Sequence, residues 1–188
     1  ASSQSTAEYK AKNLKGKSFL DLTSGFGIDA YFLSQNFDEV TLVEQNTELL
    51  ETVKHNWNIL GRKANLINEN LEDFLQKNSQ KFDLIYIDPA RRDAQKNKKL
   101  LLEDLSPNLL EIQEKLGEIS DEIIIKLSPL IDISYLLSVV KNVSKIEIIA
   151  VKNEVKELLV FINRKNSHTD TEIKCVNLES TDPDFVFI

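Results

Sequence analysis

Ser18-Phe19-Leu20-Asp21-Leu22-Thr23-Ser24-Gly25-Phe26-Gly27-Ile28-Asp29-Ala30-Tyr31-Phe32, residues 18–32, decides how the rest of the chain is read. Ser18 to Leu22 is a short apolar run of buried-strand character, and Thr23 to Gly27 is a turn carrying two glycines. From Ile28 to Gln35 the apolar residues Ile28, Tyr31 and Phe32 return at helical spacing. Strand, glycine turn and helix open a wound α/β sheet, in which ligands lie beyond the carboxyl ends of the strands. Gly25 and Gly27 let the backbone pass close to a ligand, and the following helix turns its unpaired N–H groups toward the same place. Asp21 sets a carboxylate in an otherwise apolar run.

The same rhythm continues outward. Val40 to Val43 reads as a second strand, followed by Thr47 as a helix cap and a stripe of Leu50, Val53, Trp57 and Leu60 closing at Gly61. Asn65 to Asn68 makes a weak third strand before a short helix around Asp73 to Gln76, and Phe82 to Ile87 makes a fourth strand, ended by Asp88-Pro89. Ser106-Pro107 reads as a cap with proline at the first helical position, launching a helix through Lys115. Ile123 to Leu127 is a fifth strand ended by Ser128-Pro129, and a helix runs from Asp132 to Val140. Lys145–Val151 and Val155–Ile162 are separated by only Lys152-Asn153-Glu154, which requires an antiparallel hairpin because a parallel pair needs a crossover of about a dozen residues. The expected fold is a wound, Rossmann-like α/β sheet, mostly parallel with an antiparallel terminal hairpin. Residues 18–165 form its domain, residues 1–17 an N-terminal segment packing near the ligand site, and residues 166–188 a strand-like extension leading to a domain absent from this chain.

Composition narrows the function. The 188 residues are 41% apolar and 28% charged, which is globular, and a net charge of −7 argues against coating nucleic acid through the overall field. Any anionic partner must be met by a local patch. The longest apolar run, Leu158 to Ile162, is far short of the roughly 20 residues that a membrane-spanning helix needs, so a soluble domain is expected. Cys175 is the single cysteine, so the chain makes no internal disulfide and no multi-cysteine metal site, and a reducing, cytoplasmic setting is expected. The absence of methionine leads us to expect a chain that begins inside a longer protein. His55 and His168 have no partner at ligand spacing, and no metal is expected.

Glu44 closes the second strand seventeen positions after Gly27, where an acidic side chain accepts hydrogen bonds from both hydroxyls of a ribose. Gly25, Gly27 and Ala30 also fit the dinucleotide fingerprint, which keeps a nicotinamide-dependent oxidoreductase in view. Asp21 opposes it, since a carboxylate suits a cofactor with a cationic amino group better than a pyrophosphate.

Asp21 to Gly27, Glu44 and Asp88-Pro89 together resemble the successive motifs of class I S-adenosylmethionine-dependent methyltransferases, over about Ser18 to Ile162. The resemblance implies S-adenosyl-L-methionine as cofactor, with Asp21, Thr23, Gly25 and Gly27 around its methionine end. Glu44 would hold the ribose, Gln45 or Asn46 would flank the adenine, Asn70 would meet its amino group and Leu71 would pack on the ring, with Asp88 also at the cofactor. Gln4-Ser5-Thr6 stands where the family folds an N-terminal segment over the methionine end.

Asp88-Pro89-Ala90-Arg91 resembles the Asp-Pro-Pro-Tyr box of nitrogen methyltransferases, with Ala90 for proline and Arg91 for the aromatic. It implies Asp88, Pro89 and Arg91 as the catalytic set, with Asp88 orienting the acceptor. The arginine form is similar as well to the box of RNA uridine C5 methyltransferases, but those need a cysteine near the later strands, and Cys175 lies outside the expected core sheet. Arg91 to Lys99 carries five basic residues against one acidic. Most such runs are solvated surface, yet this one leaves the presumed catalytic box and would meet RNA phosphates. Arg91, Arg92, Lys126 and Ser128 are the expected substrate contacts. With Lys126-Leu127-Ser128-Pro129, the box also resembles bacterial methyltransferase cores joined to a THUMP-like domain. The expected activity is N-methylation of a nucleotide in RNA, favoured over C5-methylation. The alternatives are a non-catalytic S-adenosylmethionine- or RNA-binding domain and the oxidoreductase.

Overall fold

The computed structural model describes residues 2–91, 101–165 and 170–188. The chain divides into two compact units, Ala1–Ile87 and Asp88–Ile188.

The first unit is a four-stranded parallel sheet in the order β4-β1-β2-β3, formed by β1 (Gly16–Asp21), β2 (Phe37–Val43), β3 (Asn65–Ile67) and β4 (Leu84–Ile87). Asp21 ends β1 in register with Leu42 and Tyr86, so these strands finish at one level. Every residue of β4 and the last four of β1 and β2 are buried, as expected of parallel strands covered on both faces. Helix α1 (Gln4–Ala11) precedes β1, and the connecting helices are α2 (Ile28–Leu33), α3 (Thr47–Ile59) and α4 (Leu71–Lys77). Leu50, Val53 and Trp57 form the buried stripe of α3. Each such side chain taken from water stabilises by about 1.5–3 kcal/mol.

Two local expectations are corrected here. The cap of α3 is Asn46, whose side chain accepts from the Glu48 and Leu49 N–H groups at 2.9 and 3.2 Å, while the Thr47 hydroxyl donates to Asn68 instead. Leu60 lies past the helix and is 54% exposed, outside the stripe.

In the second unit a short ribbon pairs β5 (Ala90–Arg91) with β6 (Leu105–Ser106). Next come α5 (Leu109–Ile119), β7 (Glu122–Leu127), α6 (Ile133–Val139), β8 (Val143–Val151), β9 (Glu154–Asn163), β10 (Glu172–Leu178) and β11 (Phe185–Phe187). Helix α5 starts later than the Ser106-Pro107 signal implied, because the Asn108 side chain caps it by accepting from the Leu110 N–H. β8 and β9 form the expected antiparallel hairpin, turning through Lys152 and Asn153 at φ 50° and 66°, the left-handed pair of a two-residue hairpin loop. β9 also pairs antiparallel with β7. The C-terminal extension adds β10 parallel to β8 and β11 antiparallel to β10. Among the described residues no helix is long and apolar enough to cross a membrane.

Candidate functional site

The carboxyl ends of β1, β2 and β3 gather the predicted residues of the first unit. Asp21 is 1% exposed, and its Oδ1 accepts the Thr23 N–H at 2.9 Å and the Thr23 hydroxyl at 3.5 Å, fixing the start of the turn. The turn is closed by Ser24 N–H donating to Val43 O and Gly27 N–H donating to Ser24 O at 2.7 Å. Gly25 and Gly27 are both left-handed, at φ 51° and 69°.

The two glycines differ in what surrounds them. A Cβ on Gly25 would meet nothing closer than Thr23 O at 3.9 Å, so its side toward solvent is open. A Cβ on Gly27 would lie 3.0 Å from Trp57 Nε1 and Val53 Cγ1. Gly27 therefore seats α2 against α3, whereas the space beside Gly25 is open.

Glu44, directly after β2, bridges the turn to the next helix. Its Oε2 accepts the Gly25 N–H at 2.9 Å and its Oε1 the Asn46 N–H at 2.8 Å. A carboxylate has about four acceptor positions, so each oxygen retains capacity for a ligand hydroxyl. Asn68, a residue the sequence reading missed, braces this corner: its Nδ2 donates to Glu44 O and Gln45 O at 2.8 and 3.2 Å. Gln45 is exposed. Asn70 caps α4, accepting the Asp73 N–H at 2.8 Å and donating to Asp73 Oδ2 at 2.7 Å, and Leu71 is buried behind it. Asn70 Oδ1 keeps a second lone pair for a ligand amino group.

The N-terminal segment is also fastened at this end of the unit. Buried Lys10 donates to Asp29 Oδ1 at 2.6 Å and to Ser2 Oγ at 2.6 Å, and Asp29 Oδ2 accepts from Ser2 and from the Tyr86 hydroxyl. Asp29 sits in the first turn of α2, two residues after Gly27, so α1 is tied to the helix that follows the glycine turn. Lys10 and Asp29 were absent from the expected site. Their only sequence signal is an acid in a first helical turn.

In the second unit, Asp88 is partly exposed and Pro89 buried. Lys126, the next-to-last residue of β7, is ion-paired to Asp88 Oδ2 at 2.5 Å. Ser128 follows β7 and receives the Leu130 N–H on Oγ at 3.4 Å. The Arg91 side chain, Arg92 and the rest of the basic run to Lys99 lie outside the described residues, as does His168. Among the described residues no group of three or more His, Cys, Asp or Glu is placed to hold a metal.

The architecture defines a class: the Rossmann-like α/β methyltransferase fold, a mostly parallel sheet with antiparallel strands at its edge. Over its full length the chain superposes on a crystal structure of a Porphyromonas gingivalis W83 protein, provisionally named a methyltransferase, with a TM-score of 0.87 and 30% identity, covering 48% of that chain. The chain belongs to the family described as Conserved hypothetical protein 95, which it matches over residues 5–118. Over 89 residues, 47% of its length, it is 32% identical to a Mycoplasma mobile protein named an uncharacterized RNA methyltransferase, covering 24% of that protein. M. capricolum TrmK, solved with S-adenosylhomocysteine, shares the fold at a TM-score of 0.63 and 16% identity, over 88% of this chain and 71% of that one. The chain thus spans about a quarter of the curated relative and about half of the Porphyromonas protein.

Proposed function

We propose that this chain is the core of an S-adenosylmethionine-dependent methyltransferase whose acceptor is a nucleotide in RNA, methylated on nitrogen. The observation that carries the reading is Glu44, held after β2 by the Gly25 and Asn46 N–H groups with acceptor capacity left beside the open face of Gly25. Such a carboxylate suits the two hydroxyls of a ribose. Asp21 and Thr23 keep the turn in place, Gln45, Asn70 and Leu71 border the nucleoside, and Gly27 sets the helix behind it. The cofactor supplies a methyl group on a sulfonium, and the protein's part is to align donor and acceptor, an effect worth on the order of 7 kcal/mol or more of barrier.

Asp88 and Pro89 receive the acceptor in this reading, with Arg91, Arg92 and the run to Lys99 facing RNA phosphates. The name of the Mycoplasma relative supports an RNA acceptor. Nitrogen is favoured over C5 because of where Cys175 lies. It aligns with Ile148, then Leu158, then Leu127 across three strand pairings, so about 14 Å of sheet separates it from the end of β7. That is too far for a thiolate to attack a base held at Asp88.

Calorimetric titration tests the cofactor. S-adenosylmethionine and S-adenosylhomocysteine should bind and NADH should not. Glu44→Gln places an amide N–H₂ against one of the two backbone donors and should weaken binding by roughly tenfold or more, a charged hydrogen bond being worth about 1.5–3 kcal/mol. Binding of NADH alone, or undiminished affinity in Glu44→Gln, overturns the assignment. Transfer of labelled methyl into cellular RNA tests the acceptor, and label on protein alone refutes it.

A further inference from the structure

We propose that Lys126 is a positioning residue for Asp88 rather than a contact to RNA, and that Glu157 holds it in that role. The inference rests on the methyltransferase reading of the Asp88 box.

Lys126 Nζ meets Asp88 Oδ2 at 2.5 Å, and its side chain is only 12% exposed. A phosphate contact requires an ammonium offered to solvent and mobile counterions, whereas this one is turned inward onto a carboxylate. β7 and β9 pair Lys126 with Leu159, and the residue two positions along β9 on the same face is Glu157, 4% exposed. Diagonal neighbours across an antiparallel pair lie about 7–8 Å apart, within reach of a lysine's four-carbon stem. Next on that face, Glu147 of β8 already binds Lys145 at 2.7 Å, and Leu159 is fully buried, which leaves Glu157 as the carboxylate facing Lys126 from β9.

A nearly buried ammonium persists only with carboxylates around it, and removing one member exposes the others to uncompensated burial. Lys126 therefore fixes the carboxylate of Asp88 at one place, as an acceptor-orienting group requires. The three side chains carry two negative charges and one positive. That net charge favours an acceptor nitrogen on which positive charge gathers as it is methylated. It disfavours a phosphate at this point, so the cations that grip RNA must lie elsewhere.

The test uses Lys126→Met, Lys126→Arg and Glu157→Gln in the purified protein, with methyl transfer to RNA, cofactor affinity and the salt dependence of RNA binding as readouts. We expect Lys126→Met to lower kcat on the order of a hundredfold. Cofactor affinity, KM for RNA and the salt slope should be unchanged, Lys126→Arg should restore part of kcat, and Glu157→Gln should fall in between. A Lys126→Met protein that keeps its kcat while RNA binding weakens and the salt slope drops by about one overturns the proposal in favour of a phosphate contact. A stability cycle over Asp88→Asn, Lys126→Met and the double variant reads the pair independently of turnover. Coupling between the two supports the cluster even if the wild type transfers no methyl to RNA, a result that would sink the acceptor reading alone, and absence of coupling overturns the cluster.

Discussion

Gly25→Ala and Gly27→Ala look like equivalent changes in sequence, and the structure separates them. Both residues are left-handed, at φ 51° and 69°, which costs an L-residue about 1–2 kcal/mol. The added methyl also restricts the unfolded chain, returning about 0.4–1 kcal/mol. For Gly25 nothing more is added, because the new Cβ has no neighbour nearer than 3.9 Å, so the net loss is about 0–1.6 kcal/mol. At Gly27 the Cβ comes within 3.0 Å of Trp57 Nε1 and Val53 Cγ1, and pushing α3 aside adds about 1–3 kcal/mol. The expected loss for Gly27→Ala is then about 1–4.6 kcal/mol. For a chain of this size each kcal/mol lowers the melting midpoint by about 2–4 °C. Trp57 is the single tryptophan and stands at the point of contact, so urea unfolding followed by its fluorescence reads the first unit directly. Cofactor titration should give the opposite ranking at Gly25, where a methyl group intrudes on the open approach: affinity falls while stability barely moves. A Gly27→Ala protein that unfolds with the wild type, or a Gly25→Ala protein that binds S-adenosylmethionine undiminished, would refute this division of roles.

An ion pair and a hydrogen bond each carry a further expected outcome. Asp29→Asn removes the carboxylate from Lys10, whose side chain is 1% exposed, and should cost about 3 kcal/mol in urea unfolding, with the N-terminal helix becoming sensitive to protease; an unshifted midpoint argues that α1 is held otherwise. The hydrogen bond to Glu103, then burial, pushes Tyr135 up to about 12, and the same bond holds the Glu103 carboxyl below its usual range. The raised tyrosine contributes stability that is fully present below pH 10.0, its ordinary value, and is lost as pH climbs through about 12, while the lowered Glu103 contributes above its ordinary value of 4.5 and less as pH falls. Ultraviolet titration of Tyr135→Phe should lack a tyrosinate transition near 12, and loss of one near 10 instead would refute the bond.

The strands and the larger helices could be read from sequence because each carries its own apolar pattern: buried runs at Phe19–Leu22 and Leu84–Ile87, and the period of Leu50, Val53 and Trp57. Helix α1 has no such signal. Its buried face is Thr6, Ala7 and Lys10, spaced as a helix but polar at two of three positions, so hydrophobicity passes over it. Helix starts slipped for a related reason. Asn46 stands beside Thr47, and Asn108 directly follows Ser106-Pro107, so each start offered more than one competent cap, and the choice was made by which side chain reaches the N–H two or three residues on.

The site divides along the same line. Asp21, Thr23, Gly25, Gly27 and Glu44 could be placed near one another from sequence because a turn and strand ends that the pattern locates carry them. What Glu44 touches depends on a contact nineteen residues away, and the Asp88–Lys126 pair joins positions thirty-eight apart. The sequence reading set Asp88 to orient the acceptor and Lys126 among the substrate contacts. The single task proposed for them rests on the ion pair, because a side chain 12% exposed and held at 2.5 Å by a carboxylate has its charge already committed. Composition points the same way: a protein of net charge −7 that binds RNA must keep its cations at the surface. Lys126 is turned inward, and under the proposed methyltransferase reading its removal should therefore appear in turnover rather than in affinity.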